Sequence, residues 1–143
     1  MSEIVCSGGL LVAKDTKRFL FLLRSQGKTA GTWGIVGGKK EPKDLTPYAA
    51  LEREIKEEIG DLGSFYKSVP LELYTSEDQK FYFNTYLIVV EKEFIPKLNQ
   101  EHVGYAWCNI DSWPKPLHEG VKRSLSNKIN RAKIDVLLEL IKD

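Results

Sequence analysis

The chain lacks the features that mark secreted, membrane-spanning or nucleic-acid-binding proteins. With two cysteines and two histidines among 143 residues, it offers neither a disulfide framework nor a His/Cys pattern for metal binding. Its formal net charge of +1 gives no electrostatic argument for a nucleic-acid surface. No apolar run is long enough to span a membrane, and no charged leader precedes a cleavable apolar stretch. A cytoplasmic protein is the natural inference.

Composition and length fit one domain spanning residues 1–143 with a workable core. Charged residues make up 29% of the chain and hydrophobic residues 42%, which is ordinary for a globular protein. No repeat, low-complexity tract or long linker divides the sequence. Cys6 and Cys108 lie in apolar runs, so we expect two buried thiols and no disulfide.

Short runs rich in β-branched and aromatic residues predict a sheet. The predicted strands are 4–13, 19–23, 33–36, 69–74, 81–90 and 103–109. The run 81–90 is largely apolar on both of its alternating faces, which predicts a central strand with layers on both sides. The end of the chain predicts a helical segment through Ile129 and a last helix from about Arg131 to Lys142.

One further helix is predicted between Thr46 and Gly60. Thr46 can cap the first free N–H groups, and Pro47 is tolerated in the first turn. Gly60 is placed where helices end in a left-handed residue. An apolar stripe along this helix predicts its buried face; it consists of Leu51, Ile55 and Ile59.

Three carboxylates, Glu54, Glu57 and Glu58, converge beside that stripe at i, i+3, i+4 spacing. Like charges at this spacing repel by roughly 0.2–0.5 kcal/mol per pair, and the last helical turn favours cations. The helix alone is best explained as a solvated acidic face. The Gly37-Gly38 pair upstream favours a hard divalent cation instead, because it can bring backbone carbonyls close to whatever the helix binds.

The turn and the helix together resemble the signature of the Nudix hydrolases. The shared pattern is a Gly, five residues, an acid, a spacer, and then Arg-Glu-apolar-any-Glu-Glu-any-Gly. The matching residues are Gly38, Arg53, Glu54, Ile55, Glu57, Glu58 and Gly60. The chain departs from the pattern in having Asp44 for the usual Glu, Asp61 for an apolar residue, and a spacer of eight residues instead of seven. The insertion falls in a turn, where it costs little.

The resemblance implies an α/β Nudix fold, an α/β/α sandwich with a mixed central sheet. It also implies a bound Mg²⁺, with Mn²⁺ as a substitute. The implied metal ligands are the Gly37 carbonyl and the carboxylates of Glu54, Glu57 and Glu58. Arg53 is expected to brace the loop through Asp44 or Glu41, and the inserted residue leaves that pairing open. Either Glu54 or Glu101 could serve as the catalytic base.

Two kinds of side chain are candidates for substrate binding. Arg24, at the end of a strand, could hold a phosphate oxygen; its simpler explanation is a solvated charge. One aromatic residue of the strand 81–90 could stack on a base. We take Tyr82 as the candidate, although alternation does not choose between it, Phe83 and Tyr86.

By resemblance, the reaction is hydrolysis of the pyrophosphate linkage in a nucleoside diphosphate derivative. ADP-ribose, a dinucleoside polyphosphate, a nucleotide sugar and a (d)NTP remain open as substrates, as does a homodimer. The main alternative is a non-catalytic nucleotide-binding or regulatory module, which the intact acids disfavour. Isomerase chemistry on the same fold would need a reactive cysteine in the cleft, and neither cysteine stands in a visibly reactive context.

Overall fold

The computed structural model describes residues 3–62 and 67–141, which form seven strands and three helices. In chain order they are β1 (Ile4–Ala13), β2 (Phe19–Arg24), β3 (Trp33–Gly34), β4 (Val36–Lys39), α1 (Pro47–Glu58), β5 (Lys67–Thr75), β6 (Phe81–Val90), β7 (His102–Cys108), α2 (Glu119–Ser126) and α3 (Lys128–Leu140). The predicted strand 33–36 proves to be two strands. β3 pairs with β2 and β4 pairs with β1, so the chain changes partner at Ile35.

The C-terminal helices begin and end at other residues than predicted. α2 stops at Ser126, and α3 already begins at Lys128. Asn127 between them is extended, and its side-chain oxygen accepts hydrogen bonds from the N–H groups of Ile129 and Asn130. It is therefore an N-cap, and this signal places the start of α3 earlier than the apolar spacing alone did. The predicted end at Lys142 lies outside the described residues.

β1 is the central strand of the sheet and pairs with β2, β4 and β6. One edge of β1 pairs in parallel with β6 along its whole length, from Ile4↔Phe81 to Ala13↔Val90. Its other edge is divided: residues 6–9 pair with β4, whereas Val12 pairs with Phe19 of β2. Further antiparallel pairs add β3 and β7 to β2, and β5 to β6. β2 and β4 therefore pair with different parts of the same edge of β1.

Helices cover both faces of this sheet, as the apolar alternation requires. Along β1, Leu10 and Val12 join a core with residues of α2 and α3, while Leu11 and Ala13 join a core with residues of α1. β6 alternates in the same way and lies centrally between β1 and β5. The predicted α/β/α sandwich with a mixed sheet is confirmed. In the part of the chain that the structure describes, no helix has the length and apolarity needed to cross a membrane.

Candidate active site

α1 is held in place at its start and along one side. The Thr46 hydroxyl accepts a hydrogen bond from the N–H of Ala49 at 3.0 Å, which confirms the predicted cap. On β1, the buried Ser7 hydroxyl donates to the carbonyl of Pro47 at 2.7 Å. The predicted apolar stripe is buried in full: Leu51, Ile55 and Ile59. This packing fixes the rotation of the helix and therefore the direction of its acids.

The three acids occupy very different environments. Glu58 is 2% exposed, the Glu54 side chain is 13% exposed, and the Glu57 side chain is 52% exposed. The N–H of Gly37 donates to Glu58 Oε1 at 3.3 Å. Burial, together with the hydrogen bond to Glu54 and the charge of Glu54, raises the pKa of Glu58 from 4.5 to about 9. At neutral pH, Glu58 therefore holds a proton that it shares with Glu54.

Gly37 and Gly38 do not form the turn that the sequence predicted, because they lie within β4 and pair with β1 directly beside these carboxylates. A Cβ at Gly37 would overlap the carbonyl oxygen of Ser7, and a Cβ at Gly38 would lie 2.6 Å from Glu54 Cδ. Gly37 also has φ +156°, at the margin of the region that side chains disfavour. Glycine at both positions is what allows β4 to approach β1 and α1 so closely.

Arg53 joins the loop before α1 to the acids. Its Nη2 donates to Asp44 Oδ2 at 2.9 Å and to the carbonyl of Lys39 at 3.1 Å. Its Nη1 lies 3.2 Å from Glu54 Oε2 and 3.3 Å from Glu57 Oε2. The neighbouring carboxylates raise the pKa of Arg53, so its charge is permanent. One guanidinium thus positions two of the three signature acids.

The partner of Arg53 is Asp44, despite the inserted residue. Asp44 receives both Nε and Nη2 of Arg53, whereas Glu41 Oε2 lies 3.7 Å from Nη1. Asp44 also accepts a hydrogen bond from the N–H of Glu41 at 2.8 Å, and Arg53 and this bond lower its pKa to about 2. The extra residue is absorbed in the turn, and the shorter Asp side chain still reaches the arginine.

Gly37, Gly38, Arg53, Glu54 and Glu57 form one wall of a cleft of about 390 Å³. Arg24 and Glu101, both candidates from the sequence, line the same cleft from β2 and the start of β7. Glu101 is close enough for its charge to contribute to the raised pKa of Glu58. The Nε of Arg24 is buried and has no hydrogen-bond partner among the described residues. The cleft therefore brings an acidic wall and an unsatisfied cationic donor together.

Tyr82 does not line this cleft, whereas Phe83 does. Successive β6 side chains point to opposite faces, and the hydroxyl of Tyr82 donates to Glu3 on the other side at 3.3 Å. Tyr86 packs edge-on against Tyr48, with ring centroids 5.0 Å apart, and belongs to the core. Of the three aromatic candidates, the structure places Phe83 at the cleft.

Residues 6–128 match the family model of the NUDIX domain. The chain belongs to the Nudix family. With all three signature acids of α1 in place beside Gly37 and Gly38 of β4, it is a Nudix pyrophosphohydrolase.

Solved Nudix structures share the fold at low sequence identity. RenU, a Nudix hydrolase from M. smegmatis, aligns with a TM-score of 0.73 at 18% identity over 96% of this chain and 88% of its own. The NUDIX domain of Shewanella oneidensis NrtR, complexed with ADP ribose, gives 0.68 at 12% identity over 94% and 90%. A C. elegans Ap4A hydrolase in a binary complex gives 0.62 at 21% identity over 94% and 92%. No curated protein sequence is significantly similar to the chain.

The Nudix acids of this chain suit a hard divalent cation by their chemistry. The side chains of Glu54 and Glu58 are joined by a hydrogen bond through one proton. Carboxylates must lose such a proton to bind a metal ion, so metal binding would release it. Arg53 presently lies between Glu54 and Glu57, and the described residues contain no group of three His, Cys, Asp or Glu side chains arranged to enclose a metal ion. The donors beside Gly37 and Gly38 are all oxygen atoms, which fit Mg²⁺ better than softer metals.

Sequence reasoning missed two residues of the cleft. Cys6, a free and half-buried thiol, lines it from β1, and burial raises its pKa. His118 lines it from the N-terminus of α2, where its Nδ1 accepts a hydrogen bond from the N–H of Gly120 at 3.1 Å. The only signal for His118 was its position before Glu119-Gly120, and histidine is not among the usual capping residues.

Proposed function

We propose that this Nudix enzyme catalyses Mg²⁺-dependent hydrolysis of the pyrophosphate linkage in a nucleoside diphosphate derivative. The observation that carries the proposal is the pair of the buried Glu58 and the partly buried Glu54, which lies beside Gly37 and Gly38 of β4 and shares a proton. A carboxylate buried with its proton next to a second carboxylate is costly for stability alone. A functional explanation is that the pair loses its proton when it binds a cation.

The residues that would hold Mg²⁺ are the Gly37 carbonyl, Glu54, Glu57 and Glu58. A bound Mg²⁺ would neutralise phosphate oxygens and orient the water that attacks. Arg53 keeps Glu54 and Glu57 at fixed distances from each other through Nη1, while Asp44 holds the guanidinium from behind. This bracing supplies the preorganisation that the acids need.

Arg24 is the proposed phosphate-binding residue. Its Nε is a buried donor without a partner, and a charged phosphate oxygen would satisfy it. The β2–β7 pairing shifts register between Leu23 and Arg24, and Arg24 lines the cleft. A phosphate chain lying in the cleft would then have Arg24 on one side and the acids on the other.

Glu101 is the proposed general base. The Glu54 carboxylate is engaged by Glu58 and by Arg53, so it has less capacity left to accept a proton from water. Glu101 lines the same cleft from an exposed turn, and its backbone is held by hydrogen bonds with Asn99 and Ser25. A solvated carboxylate at this position can accept the proton of the attacking water.

The fold relatives suggest which substrates to test first. Two of the structural neighbours are described with ADP ribose and as an Ap4A hydrolase, which makes these nucleotides the first to test. The proposed machinery acts on the pyrophosphate itself and therefore does not distinguish between nucleotide derivatives.

The test is a turnover panel with Mg²⁺ that contains ADP-ribose, diadenosine polyphosphates, the common (d)NTPs and nucleotide sugars. It is run on the wild type, on Glu57→Gln and on Glu52→Gln. Glu57→Gln removes a proposed ligand and should lower the rate at least about tenfold. Glu52→Gln removes an exposed charge from the same helix outside the cleft and should retain the rate.

Unchanged turnover in Glu57→Gln would remove the carboxylate group from the mechanism. Folding is checked by thermal unfolding. Glu57→Gln relieves repulsion from Glu54 but also loses the ion pair with Arg53 at 3.3 Å, so stability should change by less than about 0.5 kcal/mol.

A further inference from the structure

Two side chains of the β2–β7 strand pair contain buried nitrogen atoms that have no hydrogen-bond partner among the described residues. They are Nε of Arg24 on β2 and Nδ1 of His102 on β7. In the part of the chain that the structure describes, only one other buried side-chain nitrogen or oxygen, Nε of Arg131, lacks a partner. Buried polar groups are normally paired, so two unsatisfied nitrogens on one strand pair need an explanation.

Arg24 and His102 are cross-strand neighbours. They are Cα partners in the antiparallel pairing of β2 and β7, directly after the register shift that leaves Val103 as an extra residue. Side chains opposite each other in such a pair lie on the same face, with Cβ atoms about 4.5–5.5 Å apart. The backbones are also joined beyond this pair, because the N–H of Ser25 donates to the Glu101 carbonyl at 2.9 Å.

The two nitrogens are complementary as donor and acceptor. His102 is 4% exposed, and burial and the charge of Arg24 lower its pKa, against the opposing charge of Glu101. The ring is therefore neutral at neutral pH, with one nitrogen as donor and the other as acceptor. A neighbouring cation favours a lone pair turned towards it, which makes Nδ1 the acceptor. Arg24 can only donate, through five N–H groups in a planar fork.

Only one member of this pair reaches the substrate site. Arg24 lines the cleft opposite the acids, whereas His102 is not among the residues that line it. His102 therefore has no direct contact to offer a ligand in the cleft. Its influence on such a ligand would pass through the orientation of the Arg24 guanidinium.

We propose that His102 is a positioning residue for Arg24, whose guanidinium donates to Nδ1 of His102 while it holds a phosphate in the cleft. The inference rests on the proposed function, in which a phosphate oxygen satisfies Nε of Arg24. The guanidinium has four further N–H groups, so one of them can satisfy Nδ1 of His102 at the same time. A guanidinium held in one orientation loses less conformational freedom on binding, so His102 should strengthen phosphate binding.

The test measures the binding of inorganic pyrophosphate by calorimetry at a fixed Mg²⁺ concentration, independently of turnover. His102→Asn and His102→Leu are a matched pair of similar shape, and only Asn keeps an acceptor, Oδ1, at the position of Nδ1. His102→Leu should weaken binding about fivefold or more, as expected for a lost hydrogen bond to a charged group. His102→Asn should recover most of this loss. Val103→Asn, at the exposed next residue, should bind like the wild type.

A double-mutant cycle shows whether His102 acts through Arg24. Arg24→Met removes the guanidinium, and His102→Leu should cause no further loss of binding in that background. With the substrate that the turnover panel identifies, His102→Leu should raise KM and leave kcat nearly unchanged, because the phosphate contact is made in the ground state and the transition state alike. A general disturbance of the site would lower kcat as well.

Three results would overturn the role of His102: no pyrophosphate binding by the wild type, the same affinity in folded Asn and Leu variants, or a further loss in the Arg24→Met background. If His102→Leu unfolds, His102→Gln replaces it, because its amide reaches the position of Nε2 and offers no acceptor at Nδ1. Coupled binding without turnover of any substrate contradicts the proposed function alone. Turnover without coupling between Arg24 and His102 contradicts the positioning role alone.

Discussion

A second cavity, of about 360 Å³ between the sheet and α2, adjoins the catalytic cleft and has the opposite chemistry; we call it the apolar chamber. Carboxylates and arginines line the cleft, and they are held by one another: Arg53 contacts Asp44, Glu54 and Glu57. Aromatic and aliphatic side chains line the chamber, and they are held by the sheet. Polar networks need every partner in place, whereas apolar walls tolerate changes of shape.

The acidic side of the cleft and the chamber come largely from different parts of the chain, although four residues line both cavities. The acids, Gly37, Gly38 and Arg24 lie within residues 24–58, whereas the chamber is built largely from β5, β6 and α2. None of the three acids of α1 lines the chamber, so substitutions confined to the chamber leave the acids in place. Variants of the acidic side of the cleft test this comparison directly.

The largest effect is expected for Glu101, the proposed general base. Glu101→Gln should lower kcat by about 10²-fold or more and remove the acidic limb of the kcat–pH profile, because a neutral amide cannot take the proton of water. The measurement is kcat against pH at saturating substrate.

Two comparisons make that result specific. Glu119→Gln removes an exposed charge next to His118 and should keep the wild-type profile. Glu54→Gln should lose activity through the metal site, so higher Mg²⁺ concentrations should restore part of it. If Glu101→Gln keeps both its kcat and the acidic limb, Glu54 is the base instead.

The second effect concerns the buried proton of the cleft. The folded protein holds the Glu58 proton up to about pH 9, whereas an unfolded chain releases it near 4.5. A raised folded pKa means that stability is highest below 4.5 and falls as pH rises from 4.5 towards about 9. We expect the Tm of the metal-free protein to decrease across this window.

Glu58→Gln should flatten this decrease, because the amide does not titrate. Glu57→Gln leaves Glu58 in place and should keep the slope. Saturating Mg²⁺ should raise Tm most at high pH, where the proton no longer competes with it. A Tm that stays level across the window in metal-free wild type would mean that Glu58 is ionised in the folded protein.

The sequence predicted the cleft better than the chamber for a physical reason. Glu54, Glu57 and Glu58 lie within two turns of one helix, so spacing alone brings them together. Arg24, Glu101 and Phe83 meet that helix only through strand pairing, and neither their contacts nor the outward direction of Tyr82 could be read from local pattern. The sheet itself was predictable because β1 and β6 are apolar on both faces. The division of residues 33–36 depends on which strand each half pairs with, a property of the whole sheet.

The position of His118 at the cleft could not be predicted from the sequence for another reason. His118 reaches the cleft because its backbone pairs with Trp33, more than eighty residues earlier in the chain. No local signal records a pairing of that sequence separation. The pairing of Arg53 with Asp44 was left open for a milder reason, since a turn can absorb an extra residue in several ways.

The smallest effects are expected at Asp44, where the chain departs from the Nudix signature. Asp44→Glu restores the usual acid but adds a methylene in a site where the side chain is 6% exposed and already receives Arg53 and the N–H of Glu41. We expect a slightly lower Tm and little change in turnover. Asp44→Asn should cost more, because Arg53 loses its charged partner.

The acid side of the stability profile distinguishes the two variants. The folded pKa of Asp44 is depressed from 3.8 to about 2, so its contribution to stability is present above 3.8 and is lost as pH falls towards about 2. The Tm difference between wild type and Asp44→Asn should therefore shrink as pH falls over this interval. The Tm of Asp44→Glu should still decrease at acid pH, because its carboxylate also becomes protonated. A difference that stays constant down to the lowest pH would show that the charge of Asp44 does not stabilise the fold and that its hydrogen bonds to Arg53 act without it.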